Sequence, residues 1–238
     1  GGIPQANPLA SIRQFPCANC GGELHVVNPR ARIIGCHHCG AQQEAHTEEH
    51  QVLLTYFEPS QAPPRGFIRL GMAAVFSGRR VRVIGRTRWH SHYLERWHED
   101  GETGYSREEW QFDEWLFMSD RRSYFYLIED REGYHISENF IPGEPSLPED
   151  YQRLSLVGRP RPAKEYGRSE VTYFEGESTY QVQPGRQVQF AMQQGGYGEK
   201  YIVETRYDEA NQEPVEVEFI REVPISQRAV RQAFQEAN

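Results

Sequence analysis

Four cysteines in a C-x2-C-x15-C-x2-C spacing, Cys17, Cys20, Cys36 and Cys39, constrain this chain more than any other feature, and no cysteine follows them. Each pair sits in the same frame, Cys17-Ala-Asn-Cys20-Gly21 and Cys36-His-His-Cys39-Gly40. Two thiolates can face one ion only if the backbone turns tightly between them, and a glycine after the second cysteine supplies the left-handed conformation such a knuckle needs. Leu24 to Val27 and Arg32 to Ile34 read as strands joined by a turn at Asn28-Pro29. The spacing therefore predicts a zinc ribbon over residues 13–47 holding one structural zinc ion. Two disulfides are the competing reading, but they need an oxidising compartment, and no secretory leader is evident. His37 and His38 are bystanders to two symmetric knuckles, and four thiolates leave the ion no open coordination position. Phe15, Leu24, Val26, Val27, Ile33 and Ile34 supply too little apolar area to offset the ordering of the segment. The ribbon is thus expected to fold only with metal.

Residues 48–66 read as a connector whose second part, Glu58-Pro-Ser-Gln-Ala-Pro-Pro-Arg-Gly66, is a proline-rich linker. It is expected to leave a β-rich body over 67–238 with its own melting transition. Short alternating, aromatic-rich runs predict strands at Val75-Phe76, Val81–Ile84, Glu109–Met118, Ser123–Ile128 and Tyr134–Ser137. A proline-bearing stretch over 142–168 separates these from a second set near Glu170–Phe174, Thr179–Val182, Gln187–Met192, Lys200–Tyr207 and Val215–Ile220. The halves are placed at 67–141 and 166–225. Ser226 is a helix N-cap, and Ala229, Val230, Ala233 and Phe234 at helical spacing predict one short helix within 226–238. The expected class is mainly β: the ribbon, a body of two small antiparallel sheets or barrels, and a short C-terminal helix.

Charge narrows the partners. The chain has 26 basic and 34 acidic residues, net −8, which disfavours a surface built to follow nucleic-acid phosphates. Arg79, Arg80, Arg82, Arg86, Arg88 and Arg96 crowd one segment, and the stretch from Glu99 to Asp150 is acidic. The two are expected to lie side by side and compensate. No run of ~18 apolar residues is present to span a bilayer.

Catalytic patterns are weak. His46-Thr-Glu-Glu-His50 matches H-x-x-E-H, but that chemistry needs a long helix, and here a proline-rich linker follows almost at once. His90 and His92 would share a face of a strand and so are geometrically able to hold a metal. Trp89, Tyr93, Trp97 and Trp110, with Tyr105, form a set that is a partner-binding face if exposed and core if buried. Gly195-Gly196-Tyr197-Gly198 reads as a hairpin tip, because no Gly-Lys-Ser/Thr follows it. No G-x-S-x-G elbow occurs, and no cysteine is left over to act as a nucleophile.

Several segments in order resemble a bacterial family catalogued as domain of unknown function 4178. They are the paired knuckles, Leu70-Gly71 leading into Val81-Arg-Val-Ile-Gly85, Trp110-Gln-Phe-Asp-Glu-Trp-Leu-Phe117, Phe125-Tyr-Leu-Ile-Glu129, Val171-Thr-Tyr-Phe-Glu-Gly176 and the closing Glu216-Val-Glu-Phe219 with Pro224-Ile-Ser226 and Ala233-Phe234. The polar 98–108 stretch departs from the pattern. The resemblance implies no established activity. It implies a genomic setting beside membrane-remodelling proteins and polyamine-synthesis enzymes. The expectation is therefore a non-enzymatic zinc-ribbon adaptor or scaffold for a membrane-associated protein partner. It would act in the cytoplasm, at the inner face of the cytoplasmic membrane, in an envelope-stress system. The alternatives are a nucleic-acid-binding ribbon and a metal-dependent hydrolase using His90 and His92 or His46 and His50.

Overall fold

The computed structural model describes residues 13–28, 30–45, 52–57, 62–64, 66–121, 123–143, 146–180, 182–183, 185–207 and 213–237. The ribbon supplies β1 (Arg13–Pro16), β2 (Glu23–Val26), β3 (Ile33–Gly35) and β4 (Ala41–Glu44), and β5 (Val52–Tyr56) follows. The body supplies β6 (Ala73–Phe76), β7 (Arg79–Glu99), β8 (Glu102–Ser119), β9 (Tyr124–Glu129), β10 (Tyr134–Asn139), β11 (Glu165–Ser178), β12 (Gln187–Gln194), β13 (Lys200–Tyr207), β14 (Pro214–Ile225) and α1 (Gln227–Gln235).

The chain is mainly β, as expected, and the two strand sets are two four-stranded antiparallel meanders. β7-β8-β9-β10 and β11-β12-β13-β14 join edge to edge through β10–β14 and β11–β7, closing an eight-stranded barrel. Closure leaves no open edge along most of these strands. The polar 98–108 stretch is the end of a long hairpin: Asp100 and Gly101, at φ of 50° and 83°, make the two-residue turn that matches strand twist. Of the strand expected at Thr179–Val182, the described residues Thr179, Tyr180 and Val182 belong to no strand; β11 instead runs from Glu165 to Ser178. Of the irregular stretch expected over 142–168, the described residues up to 164 are irregular, with a short 3-10 turn at Pro148–Arg153, whereas 165–168 already belong to β11.

The barrel is coiled where β11 crosses β7. The register shifts between Val171 and Tyr173, a bulge that bends the strand. Beyond it Gly176 lies opposite Gly85, and a Cβ on Gly85 would stand 2.1 Å from the Glu177 carbonyl oxygen. Only glycine allows that approach.

Two apolar layers cover the outer face of the wall. Trp115, Phe117, Val83 and Leu127 are covered by Ile68 and by Val230, Ala233 and Phe234 of α1. Phe234 meets Phe67, Phe76 and Phe117 ring to ring. The helix is where the pattern placed it, and the Ser226 hydroxyl accepts the Ala229 N–H at 3.2 Å. Ala191, Val203 and Phe219 are covered by Leu154 and Leu156 of the irregular segment, which Gln193 pins by accepting the N–H groups of Leu156 and Val157. No helix among the described residues is long and apolar enough to cross a membrane.

The ribbon does not stand apart from the body. β3 is hydrogen-bonded to β11, with Gly35, Ile34 and Ser178 in the shared register, so β3-β4-β5 extend the barrel's sheet. The connector residues Val52–Tyr56 are thus an edge strand beside β4.

Candidate metal centre and barrel lumen

The two knuckles are built alike. Gly21 N–H donates to the Cys17 carbonyl at 2.8 Å and Gly40 N–H to the Cys36 carbonyl at 2.7 Å, with both glycines left-handed. These turns bring all four sulfurs within 4.8 Å of one another. Cys17 Sγ lies 3.8 Å from Cys39 Sγ and Cys20 Sγ 3.8 Å from Cys36 Sγ, far beyond a disulfide bond of about 2.05 Å. A tetrahedral site with metal–sulfur bonds of about 2.3 Å needs sulfurs about 3.8 Å apart, so the cysteines fit a metal ion. Leu24, Val26, Ala31, Ile34 and Ala41 pack beneath them.

Surrounding groups tune the thiols. Burial pushes Cys36 up to about 12. Burial also opposes ionisation of Cys39, yet the Asn19 amide and the Ala41 N–H bring it down to about 7. The His38 N–H reaches Cys36 Sγ at 3.4 Å, whereas the His37 and His38 rings lie 4.0 Å apart, tilted by 40°, and are not among the clustered ligands. A metal ion binds the deprotonated thiols, so binding would release their protons.

The strand alternation that turns His90 and His92 outward turns Trp89, Ser91 and Tyr93 into the barrel. Trp89 and Tyr93 are 6% and 7% exposed, so two of the four candidate partner-contacting residues are interior. Trp110 also lines the lumen, with the Arg131 guanidinium 3.6 Å over its ring. Trp97 and Tyr105 are exposed on the far end of the β7–β8 hairpin, where β11 no longer pairs. His98 bonds Thr103 across that hairpin at 2.9 Å. The His46–His50 motif lies outside the described residues.

The lumen holds a cavity of about 110 Å³ walled by Tyr93, Trp110, Phe112 and Phe190. Its other wall is acidic. Glu165, Glu204 and Glu222 reach it from β11, β13 and β14. Behind them, Glu218 faces Glu204 across the strands, and Glu114 accepts the Tyr180 hydroxyl at 3.0 Å. Burial, then mutual repulsion, raises Glu204 to about 8 and Glu114 to about 7. Glu165 and Glu222 stand at about 7 because burial outweighs the attraction of Lys200. The nearby cations have other partners: Lys200 pairs with Asp130 and Glu132, and Arg186 with Glu216.

These glutamates were not recognised from sequence, where the acids are merely numerous. The available signal was their phase. Glu204 stands two and four residues beyond Ile202 and Lys200, and Glu218 and Glu222 are likewise an even number apart, so each series points to one face. Which face is interior depends on closure of the barrel. No protein-family model, curated protein or solved structure matches the chain.

Proposed function

We propose that this chain is a non-enzymatic binding protein, in which a zinc-stapled ribbon seats on a β-barrel whose lumen takes up a small organic cation. Zinc is the ion that four clustered thiolates with tetrahedral spacing and no redox partner suit, and in that closed set its role is structural. Glu222 is the observation that carries the lumenal reading. It is only 9% exposed, lines the cavity, and forms no hydrogen bond or close ion pair among the described residues, Lys200 opposite it being held by Asp130 and Glu132. A buried carboxylate without a close counter-charge is costly when ionised. A protonated amine entering beside Glu204 and Glu222 would supply the missing charge. The faces of Tyr93 and Trp110 would hold its alkyl part and add a cation–π attraction of about 0.5–2 kcal/mol. The cavity is well below the roughly 300–1,000 Å³ of drug-sized sites, which favours a short aliphatic amine.

Calorimetric titration with n-butylamine and 1,4-diaminobutane tests this. Binding is expected at pH 8, weakening at least tenfold at pH 6, and lost in the Glu204→Gln/Glu222→Gln variant. An absence of heat at pH 8 overturns the lumenal reading. Metal analysis finding less than one zinc per chain in wild type overturns the other half.

A second reading keeps the protein partner and rests on Trp97 and Tyr105, exposed on a hairpin end that projects past the last β7–β11 pair at Glu95. A partner captured equally by wild type and by Trp97→Ala/Tyr105→Ala would remove that support.

A further inference from the structure

We infer that the outer face of the barrel carries a second metal site, built by His90 and His92 of β7, Glu170 of β11 and Glu109 of β8, for a divalent first-row transition ion. The site follows from register. His90 and His92 are two residues apart on a strand and so share the outward face. Across β11 the residue opposite His90 is Glu170, and across β8 the residue opposite His92 is Glu109. Donors from three adjacent strands therefore converge on one patch.

The distances agree. The ligand atoms of His90, His92 and Glu170 all lie within 4.8 Å of one another. Glu109 approaches from the other side, 3.6 Å from His90 Nε2 and 3.4 Å from His92 Nδ1. The two imidazole rings are 4.2 Å apart and tilted by 47°, so they converge without stacking. Metal–nitrogen and metal–oxygen bonds of about 2.0–2.2 Å place neighbouring donors roughly 3–4 Å apart, within reach by small side-chain rotations. Two neutral imidazoles and two carboxylates carry the charge that a divalent ion cancels, and imidazole with carboxylate selects zinc, nickel, cobalt or copper over calcium or magnesium.

Three further features bear on the site. β7 is hydrogen-bonded on both sides, to β8 and to β11, so the histidine positions are held by the barrel rather than by a loop. The neighbouring guanidinium of Arg88 is committed to Asp113 at 2.6 and 2.9 Å, while the Glu170 carboxylate also accepts the Gln187 side-chain amide at 3.3 Å, a bond weak enough for a metal to displace. Arg168, opposite His92 on β11, lies instead along a groove of about 560 Å³ lined by His92, Glu109 and Tyr166. That groove gives the ion a side open to solvent, unlike the closed cysteine set. The site is independent of the lumenal reading, because its donors lie on the other face of the same strands.

The test uses tag-free full-length protein with the cysteine site loaded with zinc, dialysed against Ni²⁺ at pH 7.5. Wild type is expected to retain one nickel in addition to its zinc. His90→Ala/His92→Ala is expected to retain zinc alone with an unchanged thermal transition, and Glu170→Gln to bind nickel at least tenfold more weakly. Nickel bound equally by wild type and the double variant, or by neither, overturns the site. Should the double variant fail to fold, NMR of the wild type decides: Ni²⁺ must broaden the His90 and His92 imidazole signals first, and broadening elsewhere alone refutes the assignment.

Discussion

The Glu177 carboxylate accepts the backbone N–H of Asn28 at 2.8 Å, tying the last turn of β11 to the strand-ending loop of the ribbon. Its other oxygen accepts the Val27 N–H at 2.7 Å, and Tyr124 donates to the Asn28 side chain at 2.6 Å. This clamp is 2% exposed, and burial raises Glu177 to about 7 despite the two donors. Glu177→Ala would leave two buried N–H groups unpaired, a loss of about 2–4 kcal/mol in denaturant unfolding. Amide exchange at Val27 and Asn28 should accelerate with it. Unchanged exchange there would show that the clamp holds nothing.

Removing the metal reaches further than the linker suggested. Cys36→Ser/Cys39→Ser is expected to abolish metal binding and disorder the ribbon, since a four-thiolate zinc site contributes about 10–16 kcal/mol to folding such a unit. Because β3 and the Glu177 clamp are lost together, the barrel's own transition should fall by roughly 5–15 °C. Circular dichroism melts of the variant check this, and an unshifted barrel transition contradicts the coupling.

Stability should rise as the pH falls from 8 to 6. Glu114, Glu165, Glu204 and Glu222 are raised above the ordinary 4.5, to between about 7 and about 8. Between those limits the folded state binds more protons than the unfolded chain. Their contribution is fully present below the unfolded value and is lost as the pH rises through the folded one. Thermal melts at pH 8, 7 and 6 test the sign. The range stops short of the acidity at which thiolates give up their metal.

Arg86 is 0% exposed and is held by Asp113 at 3.0 and 2.9 Å, with Glu175 at 3.5 Å and the Trp115 ring beneath it. Asp113→Ala removes the bidentate partner of a buried guanidinium and is expected to cost about 3–5 kcal/mol. Because Glu175 also faces the guanidinium, the charges must be removed as a set: replacing Arg86, Asp113 and Glu175 together by Met, Leu and Gln should recover most of that loss. Equal destabilisation by the single and triple variants would show that packing, not charge, dominates here.

The sequence was most informative where structure depends on neighbours in the chain. Cys17, Cys20, Cys36 and Cys39 act within short turns, and Ser226 caps a helix three residues on, so both features were legible. The pairing of Glu170 with His90 was not, since the two are brought together only by barrel closure. For the same reason the sequence left Trp89 and Tyr93 open between surface and core, and nothing in it singled out the lumenal glutamates. The ribbon's attachment was hidden because β3 is three residues long and its partner lies at the far end of β11.

β11 sends Glu165 to the lumen, Glu170 to the outer histidines and Glu177 to the ribbon, with the bulge before Tyr173 lying between the last two. Sequence length along this strand is therefore under unequal constraint. An inserted or deleted residue before the bulge exchanges Glu165 and Glu170 between faces, and one after it turns Glu175 and Glu177 away from Arg86 and Asn28. At Thr172, where the strand already carries a residue with no opposite number on β7, a change of length leaves both halves facing as they do. Natural variants of this protein should show gaps in β11 at that position before any other.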